Sequence, residues 1–350
     1  MRRAFLFLFF TFLLCTLPGC GNVLYVSNMG WHQFSIAVKS ISVEEVLQDE
    51  GVNAETKEKI RFIQEVKRFG ERQLRLARTK NYSTFFETQG PILHVVVAAE
   101  KDRLKLHGWT FPIIGKVTYK SFFTKEDALK EQRILDEQGY DTFVQPVEAY
   151  STLGWFKDPI FSRMLKWNEV VLANLILHEM THATVYFKGK TAFNEQLATF
   201  IGNQGAIHFL KEKYGPGSKE VAKASQIKKD DLLFSDWIDE VYHRLSDFYR
   251  QEISRDEKLK GREEYFRSIR EEFQKVKTEL KTNSYDDFGK TDLNNAVLLA
   301  YHQYVQKLDQ FQALYERLGK DPGKVIEFFK KIKESGGDPV SALKGAGGNP

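Results

Sequence analysis

The spacing of apolar residues divides the first half of the chain into helical and extended segments. Apolar residues in 43–78 recur about every 3.6 positions, which predicts amphipathic helices. Segments 92–99, 109–119 and 142–147 are instead rich in β-branched and aromatic residues and are bounded by glycine or proline, which predicts strands. A helical pattern over 125–137 separates the last two. The pattern therefore predicts a small, mostly antiparallel sheet with a helix packed on it.

The second half of the chain has helical periodicity almost throughout. Helices are predicted near 167–187, 192–213, 218–225, 230–254, 256–281, 291–318 and 322–334. The glycine-rich tail, 336–350, is predicted to be disordered. We expect one mainly helical α+β domain over residues 20–335. Its parts are N-terminal helices and the sheet (20–166), a central helix pair (167–213) and a helical subdomain (214–335).

The N-terminus has the features of an export signal. Two arginines precede a short apolar run over 4–17, so residues 1–19 are predicted to be a cleaved signal peptide. Leu17-Pro18-Gly19-Cys20 resembles the lipobox of bacterial lipoproteins, which implies a lipid on Cys20 that anchors the mature chain to a membrane. The alternative is that Cys20 is an ordinary apolar residue of the signal. Cys15 would leave with the signal, so no intramolecular disulfide is expected.

The charge balance argues against nucleic acid as a partner. The formal net charge of +4 falls to +2 when Arg2 and Arg3 are removed with the signal. Basic residues alternate with glutamates at helical spacing, as on solvated helix faces. Gly21 stands where inner-membrane lipoproteins of Gram-negative bacteria carry aspartate. We therefore expect the periplasmic face of the outer membrane, if the organism has one.

The chemistry of the chain centres on His178-Glu179-Met180-Thr181-His182. Histidines four residues apart lie on one face of a helix, one turn from each other, as two ligands of a tetrahedral zinc ion require. The preceding segment, 167–177, is almost wholly apolar, so this helix is expected to be nearly buried. Glu179 is predicted to act as a general base rather than as a ligand.

A third ligand is predicted on the following helix. Segment 188–191 contains a glycine and forms a turn, so two antiparallel helices would bring His182 opposite Glu195. Two histidines and a glutamate leave a fourth position open, which is typical of a catalytic zinc site. The metzincin pattern is excluded because Val185 and Lys188 stand where it needs glycine and histidine.

Several strings in the chain resemble the bacterial predicted aminopeptidase lipoprotein family. The strings are 175–182, 188–195, Tyr150 to Pro159, Phe111-Pro112 and 293–296. The resemblance implies a zincin-like fold of the glutamate-zincin type and hydrolysis of peptide bonds. Thermolysin-like enzymes continue the third ligand with Ser-Asp, where this chain has Ala198 and Thr199. The support of the histidines is thus expected from Asn194, Asn203 or a backbone carbonyl.

Other candidate residues have two interpretations. Tyr301, His302 and Tyr304 are candidates for stabilising the oxyanion, and the alternative for the tyrosines is packing in the core. Asp158 is predicted to be a turn or cap, and the alternative is binding of a substrate amine. The remaining histidines are predicted to be structural: His32, His94, His107, His208 and His243.

The function predicted from the sequence is zinc-dependent hydrolysis of a peptide or protein substrate, with an aminopeptidase as the first candidate. An envelope endopeptidase is the second. A lipoprotein scaffold that uses zinc only to hold two helices together is the third, and a binding lipoprotein with no metal is the fourth. Glu179 favours an enzyme, because a purely structural site does not need a carboxylate at that position. The oligomeric state stays open.

Overall fold

The computed structural model describes residues 20–111, 115–147, 152 and 157–347. The predicted signal peptide, 1–19, lies outside the described residues. So do Pro112 and most of the aromatic loop between Tyr150 and Phe156. Within the described part of the chain, no helix is both long enough and apolar enough to span a membrane.

The strands form three small sheets. Their bounds are β1 (Ile41–Ser42), β2 (Thr84–Phe86), β3 (Leu93–Glu100), β4 (Trp109–Phe111), β5 (Gly115–Val117), β6 (Lys120–Phe122), β7 (Tyr140–Val147) and β8 (Ile160–Phe161). The central sheet has the order β6-β3-β7 and is antiparallel, with His94 opposite both Phe122 and Pro146. The strands β4 and β5 form a hairpin, and β1-β2-β8 form a short mixed sheet. A small antiparallel sheet is present as predicted, but segment 109–119, predicted to belong to it, forms the separate β4–β5 hairpin, and β6 takes its place beside β3.

The helices account for most of the remaining chain. They are α1 (Cys20–Lys39), α2 (Val43–Gln48), α3 (Ala54–Arg72), α4 (Lys125–Glu137), α5 (Glu169–Thr184), α6 (Thr191–Tyr214), α7 (Lys219–Arg250), α8 (Arg255–Glu279), α9 (Asp286–Lys290), α10 (Asn295–Val305), α11 (Leu308–Arg317), α12 (Pro322–Glu334) and α13 (Pro339–Gly347). The mainly helical α+β class predicted from the sequence is therefore confirmed.

Helices cover both faces of the central sheet. Because side chains alternate along a strand, Val96 and Ala98 of β3 face α4, where they pack with Ala128 and Leu135. The alternate residues of β3 face α10 and pack with Ala296, Leu299 and Ala300. The sheet thus carries α10, with Tyr301 and Tyr304, on the face opposite α4.

The central helix pair packs unusually closely. Gly202 of α6 faces α5, and a methyl group there would lie 3.0 Å from the Asn174 carbonyl oxygen and 3.3 Å from the Cβ of His178. Gly205 is equally crowded, since its methyl group would lie 2.8 Å from Leu177. Glycine at both positions lets the two backbones approach this far without displacing their neighbours. This approach sets the distance between side chains of α5 and α6.

Helix boundaries differ from the predictions in the second half. The two predicted helices over 218–225 and 230–254 are one helix, α7, and the one predicted over 291–318 is interrupted. Lys307, with φ of 61°, lies between α10 and α11 in the left-handed region. A lysine at this position is compatible with a continuous helix as well as with a break. The apolar periodicity of the sequence therefore did not reveal the break.

The prediction that residues 336–350 are disordered is wrong for most of that segment. Helix α13 forms there, and its Leu343 is buried in the main core with 1% exposure. Asp338 accepts hydrogen bonds from the backbone and hydroxyl of Ser341 and forms an ion pair with Lys190 at 2.7 Å. Burial of Leu343 and the cap formed by Asp338 stabilise this helix. The glycine content of the segment had indicated disorder instead.

Candidate metal centre

The helix that carries the two histidines begins at a cap and is buried along most of its length. The Asn168 side chain accepts hydrogen bonds from the backbone amides of Val170 and Val171. Leu172, Ala173, Ile176 and Leu177 of α5 have no measurable exposure. His178 and His182 follow one turn apart, and their rings meet edge to face with centroids 4.8 Å apart.

Asn194 holds the turn that leads into the second helix. Its side-chain oxygen accepts a hydrogen bond from the amide of Phe187 at 2.9 Å, and its side-chain nitrogen donates to the Phe187 carbonyl, also at 2.9 Å. This pair of bonds ties the start of α6 to the chain leaving α5. The neighbouring residue, Glu195, is thereby directed towards the histidines.

Three potential ligand atoms converge between the helices. The Nε2 atoms of His178 and His182 lie 3.1 Å apart, and Oε2 of Glu195 lies 3.5 Å and 3.4 Å from them, respectively. Ligands about 2.05 Å from a tetrahedral zinc ion would be separated by about 3.3 Å. All three side chains belong to the cluster whose donor atoms could hold a metal ion. The residues therefore fit a tetrahedral metal ion with one position left for another ligand.

Electrostatic interactions within the cluster are strong. Burial alone would raise the pKa of the Glu195 carboxyl, but His182 and His178 outweigh burial and hold that pKa well below its usual range. Burial lowers the pKa of His182, but Glu195 outweighs it and the net shift is upward. A metal ion must therefore compete with a proton on His182, so we expect its affinity to fall as the pH falls.

Glu179 lies beside this cluster without belonging to it. Its side chain is buried, with 8% exposure, and burial raises its pKa. His178 and His182 partly offset that rise, whereas Glu195 adds to it. A carboxylate with a raised pKa next to two potential metal ligands is suited to accept a proton near neutral pH.

Tyr304 of α10 faces the same cluster. The carboxylate of Glu195 is the largest cause of its raised pKa, followed by burial, Tyr119 and Glu179. The Tyr304 hydroxyl therefore stays protonated and can donate a hydrogen bond near the ligands.

Three further tyrosines interact with the two glutamates. The pKa of Tyr119 is raised by burial and then by Glu195, and that of Tyr186 by the same two causes. Burial raises the pKa of Tyr82, with Glu179 as the next cause. Three hydroxyl groups from separate parts of the chain thus remain protonated within electrostatic range of the two glutamates.

Sequence reasoning missed these three residues. Tyr186 follows His182 by four positions, a spacing that could have drawn attention to it. Tyr119 and Tyr82 lie far from the motif in the sequence and carry no local signal. Only the tertiary fold brings them to the cluster.

Tyr301 and His302 are directed elsewhere. The Tyr301 ring packs against Phe288 and Phe234, with centroids 5.0 Å and 6.1 Å away, and the charge that raises its pKa after burial is Asp287. His302 bonds Asp239 at 2.8 Å and stacks on a tyrosine. The structure brings Tyr304 to the cluster of potential ligands, whereas Tyr301 packs in the core and His302 bonds Asp239.

The residues expected to support the histidines have other roles. The Asn203 side chain accepts a hydrogen bond from Asn174 at 2.6 Å and donates one to Asp231 at 2.6 Å. The Asn194 side chain is hydrogen-bonded to the backbone of Phe187 in the turn between α5 and α6. The Nδ1 atom of His182 is buried and has no hydrogen-bond partner among the described residues. The support expected from Asn194 or Asn203 is therefore not what these side chains provide.

Asp158 holds two segments of the chain together through hydrogen bonds. Its carboxylate accepts hydrogen bonds from the Asn81 side chain at 3.0 Å and from the hydroxyl of Thr152 at 2.6 Å. Its carbonyl accepts from the amide of Tyr82. Asp158 is 2% exposed, so these bonds occupy a buried carboxylate.

The ligand assignment predicts the effect of three single changes. His178→Ala, His182→Ala and Glu195→Ala should each weaken binding of a divalent metal ion by more than about a hundredfold, because each removes one of three donors. Elemental analysis after dialysis measures the retained metal. His208→Ala is the matched control, because His208 lies on α6 and bonds the Tyr315 hydroxyl instead. Full metal content after Glu195→Ala would show that the third ligand is misassigned.

Comparison with known proteins identifies a family. No curated protein matches the chain, and no solved structure matches it. The model of the family described as "Putative aminopeptidase" matches residues 24–341, which is most of the chain and includes both helices of the metal centre. The chain therefore belongs to the "Putative aminopeptidase" family.

Proposed function

We propose that this protein is a zinc-dependent peptidase with a zincin-like arrangement of its active site. The observation that supports this proposal most directly is the convergence of His178 Nε2, His182 Nε2 and Glu195 Oε2 at separations of 3.1 to 3.5 Å. Two imidazoles and one carboxylate with an open fourth position are the donor set of catalytic zinc in peptidases. Membership of the family supports peptidase chemistry in general.

Zinc held by these residues would supply a Lewis acid that polarises the scissile carbonyl and acidifies water. Glu179 takes the proton from the attacking water and passes it to the leaving amine. Burial suits it to this role, because a raised pKa makes the carboxylate a better base and its protonated form a competent acid.

Tyr304 donates a hydrogen bond to the oxygen that gains negative charge. Its hydroxyl interacts with both Glu195 and Glu179, and its raised pKa keeps the proton on the hydroxyl. A neutral, pre-positioned donor of this kind stabilises a developing oxyanion without reorganisation.

Removal of N-terminal residues is the first candidate mode of cleavage, because the family description points to it. Internal cleavage is the second candidate. An aminopeptidase needs an acidic group for the substrate amine, and the Asp158 carboxylate is already bonded to Asn81 and Thr152. That observation favours an endopeptidase.

A purely structural zinc site would not require a buried carboxylate such as Glu179 beside the ligands. Glu179 is buried at a cost in free energy, since transferring a carboxylate out of water is unfavourable. Without turnover, an apolar residue at this position would stabilise the helix pair better. The presence of Glu179 therefore supports catalysis over a scaffold.

We assign the protein to the cell envelope as a lipoprotein. The support is the order of a short apolar run, a lipobox-like segment and Cys20. Cys20→Ser should abolish incorporation of a fatty-acid analogue in cells, because the thiol carries the first acyl group. Label retained by Cys20→Ser would contradict the assignment, and Cys15→Ser is the matched control.

The role of Glu179 is tested by Glu179→Gln. The change preserves size and removes only the charge, so zinc content and folding should persist while peptide hydrolysis falls by at least about a thousandfold. Paired libraries of free and N-acetylated peptides, analysed by mass spectrometry, measure this activity and the cleavage mode together.

The outcomes of the library experiment are distinct. Loss of single residues from free peptides alone identifies an aminopeptidase, and internal cuts in both libraries identify an endopeptidase. Equal activity of Glu179→Gln and the parent protein would remove Glu179 from the mechanism. No cleavage by the zinc-loaded parent protein would favour the scaffold.

The role of Tyr304 is tested by Tyr304→Phe. Loss of the hydroxyl should lower kcat by about a hundredfold and leave KM almost unchanged, because the bond forms mainly in the transition state. Tyr301→Phe is the matched control, since Tyr301 lies on the same helix as Tyr304 but its ring packs against Phe288. Similar kcat values for Tyr304→Phe and the parent would exclude Tyr304 as the donor.

A further inference from the structure

An apolar surface is exposed on the N-terminal helix, α1. Among the described residues, seven large hydrophobic side chains are exposed, and five of them lie between Val26 and Ile41. Trp31 is 68% exposed, Phe34 56%, Val38 65% and Ile41 47%. A concentration of apolar side chains of this size marks an interaction surface, because scattered single residues are the normal pattern.

Three of these side chains form a stripe along one side of the helix. Trp31, Phe34 and Val38 follow the i, i+3, i+7 spacing of one helical face. The rings of Trp31 and Phe34 are 6.1 Å apart and tilted against each other. We name the residues Trp31, Phe34 and Val38 the apolar stripe.

The opposite side of α1 is fixed to the domain. Tyr25 stacks on Phe111 with centroids 5.1 Å apart, and its hydroxyl donates a hydrogen bond to the Ser121 carbonyl at 2.7 Å. His32 stacks on Phe123, with centroids 4.7 Å apart. The helix is therefore held in place by the sheet while the apolar stripe faces outward.

The helix carries almost no charge. Lys39 is the only Asp, Glu, Lys or Arg between residues 20 and 43, in a chain in which 28% of residues are charged. A surface helix in contact with water alone would need a polar outer face. Tryptophan and phenylalanine on an uncharged outer face are instead suited to the boundary between lipid headgroups and acyl chains.

We propose that the apolar stripe lies in the surface of a phospholipid bilayer, with α1 parallel to the membrane plane. The inference builds on the proposed envelope location, since α1 begins at Cys20, where the lipid would be attached. A lipid on Cys20 would hold the start of α1 at the bilayer, so an apolar face on this helix would lie where it can make a second contact with the same membrane. The apolar stripe supplies that second contact.

The test separates the stripe from the lipid. The chain from residue 20 onward with Cys20→Ser cannot be acylated, and it should still float with vesicles of phosphatidylcholine. Replacing three stripe residues together, Trp31→Ser, Phe34→Ser and Val38→Ser, should weaken vesicle binding at least about tenfold. The matched control combines Ile134→Ser and Tyr214→Ser, two exposed hydrophobic residues far from α1 in the sequence, and should bind as the parent does.

Fluorescence locates the contact. Phosphatidylcholine with brominated acyl chains should quench the parent protein's tryptophan emission, and Trp31→Phe should keep vesicle binding but lose most of the quenching. Equal binding by the triple variant and the parent, or quenching that survives Trp31→Phe, would overturn the proposal. The proposal would also be overturned if the parent protein did not bind vesicles but formed a dimer that the triple variant cannot form. The apolar stripe would then contact a second copy of the chain.

The result is independent of the enzymatic proposal. Far-ultraviolet circular dichroism of each variant, compared with the parent, checks that the domain is folded. Vesicle binding without any peptide hydrolysis would support the membrane contact of the apolar stripe and contradict the peptidase proposal. Peptide hydrolysis without vesicle binding would support the peptidase proposal and contradict the membrane contact.

Discussion

The close packing of α5 against α6 is the constraint on which the site depends. Gly202 and Gly205 permit this separation, whereas a larger residue would press on the α5 backbone at Gly202 or displace leucine side chains at Gly205. Because of this separation, the side chains of His178 and His182 reach Glu195 across the interface. Asn194 fixes the turn between the helices, so the register that brings these residues together is set by hydrogen bonds to Phe187.

The same packing places three ionisable groups where water is largely excluded. Glu179, His182 and Glu195 are each 8% exposed. Burying carboxylates and imidazoles costs several kcal/mol per charge unless the charges are paired or coordinate a metal. The histidines offset this cost for Glu195, as its lowered pKa indicates. Glu179 keeps a raised pKa, so the two carboxylates are suited to different roles: one to a ligand and one to a base.

Much of this arrangement could be predicted from the sequence because its signals are local. The helical spacing of His178 and His182, and the turn before Glu195, depend on short segments and were sufficient for the cluster. The Lys125–Glu137 helix was predicted with the bounds that the structure has. Tyr304 could be named only as one of several candidates, because neighbouring residues on one helix cannot be distinguished until the partners of that helix are known.

The missed features depend on contacts between distant segments. Tyr82 and Tyr119 reach the cluster only through the tertiary fold, and Leu343 stabilises α13 only because the core has a place for it. The apolar stripe of α1 was missed for a different reason. An uncharged segment after a signal looks like part of a core, and its exposure becomes evident only when the sheet beneath it is complete.

The most direct measurement of the central claim is zinc-edge X-ray absorption on the purified protein. The account predicts four nitrogen or oxygen neighbours at about 2.0 to 2.2 Å, with the outer-shell scattering of two imidazoles. A site with one imidazole or three, a shell of six oxygens, or a protein that retains no zinc would contradict the assignment of His178, His182 and Glu195.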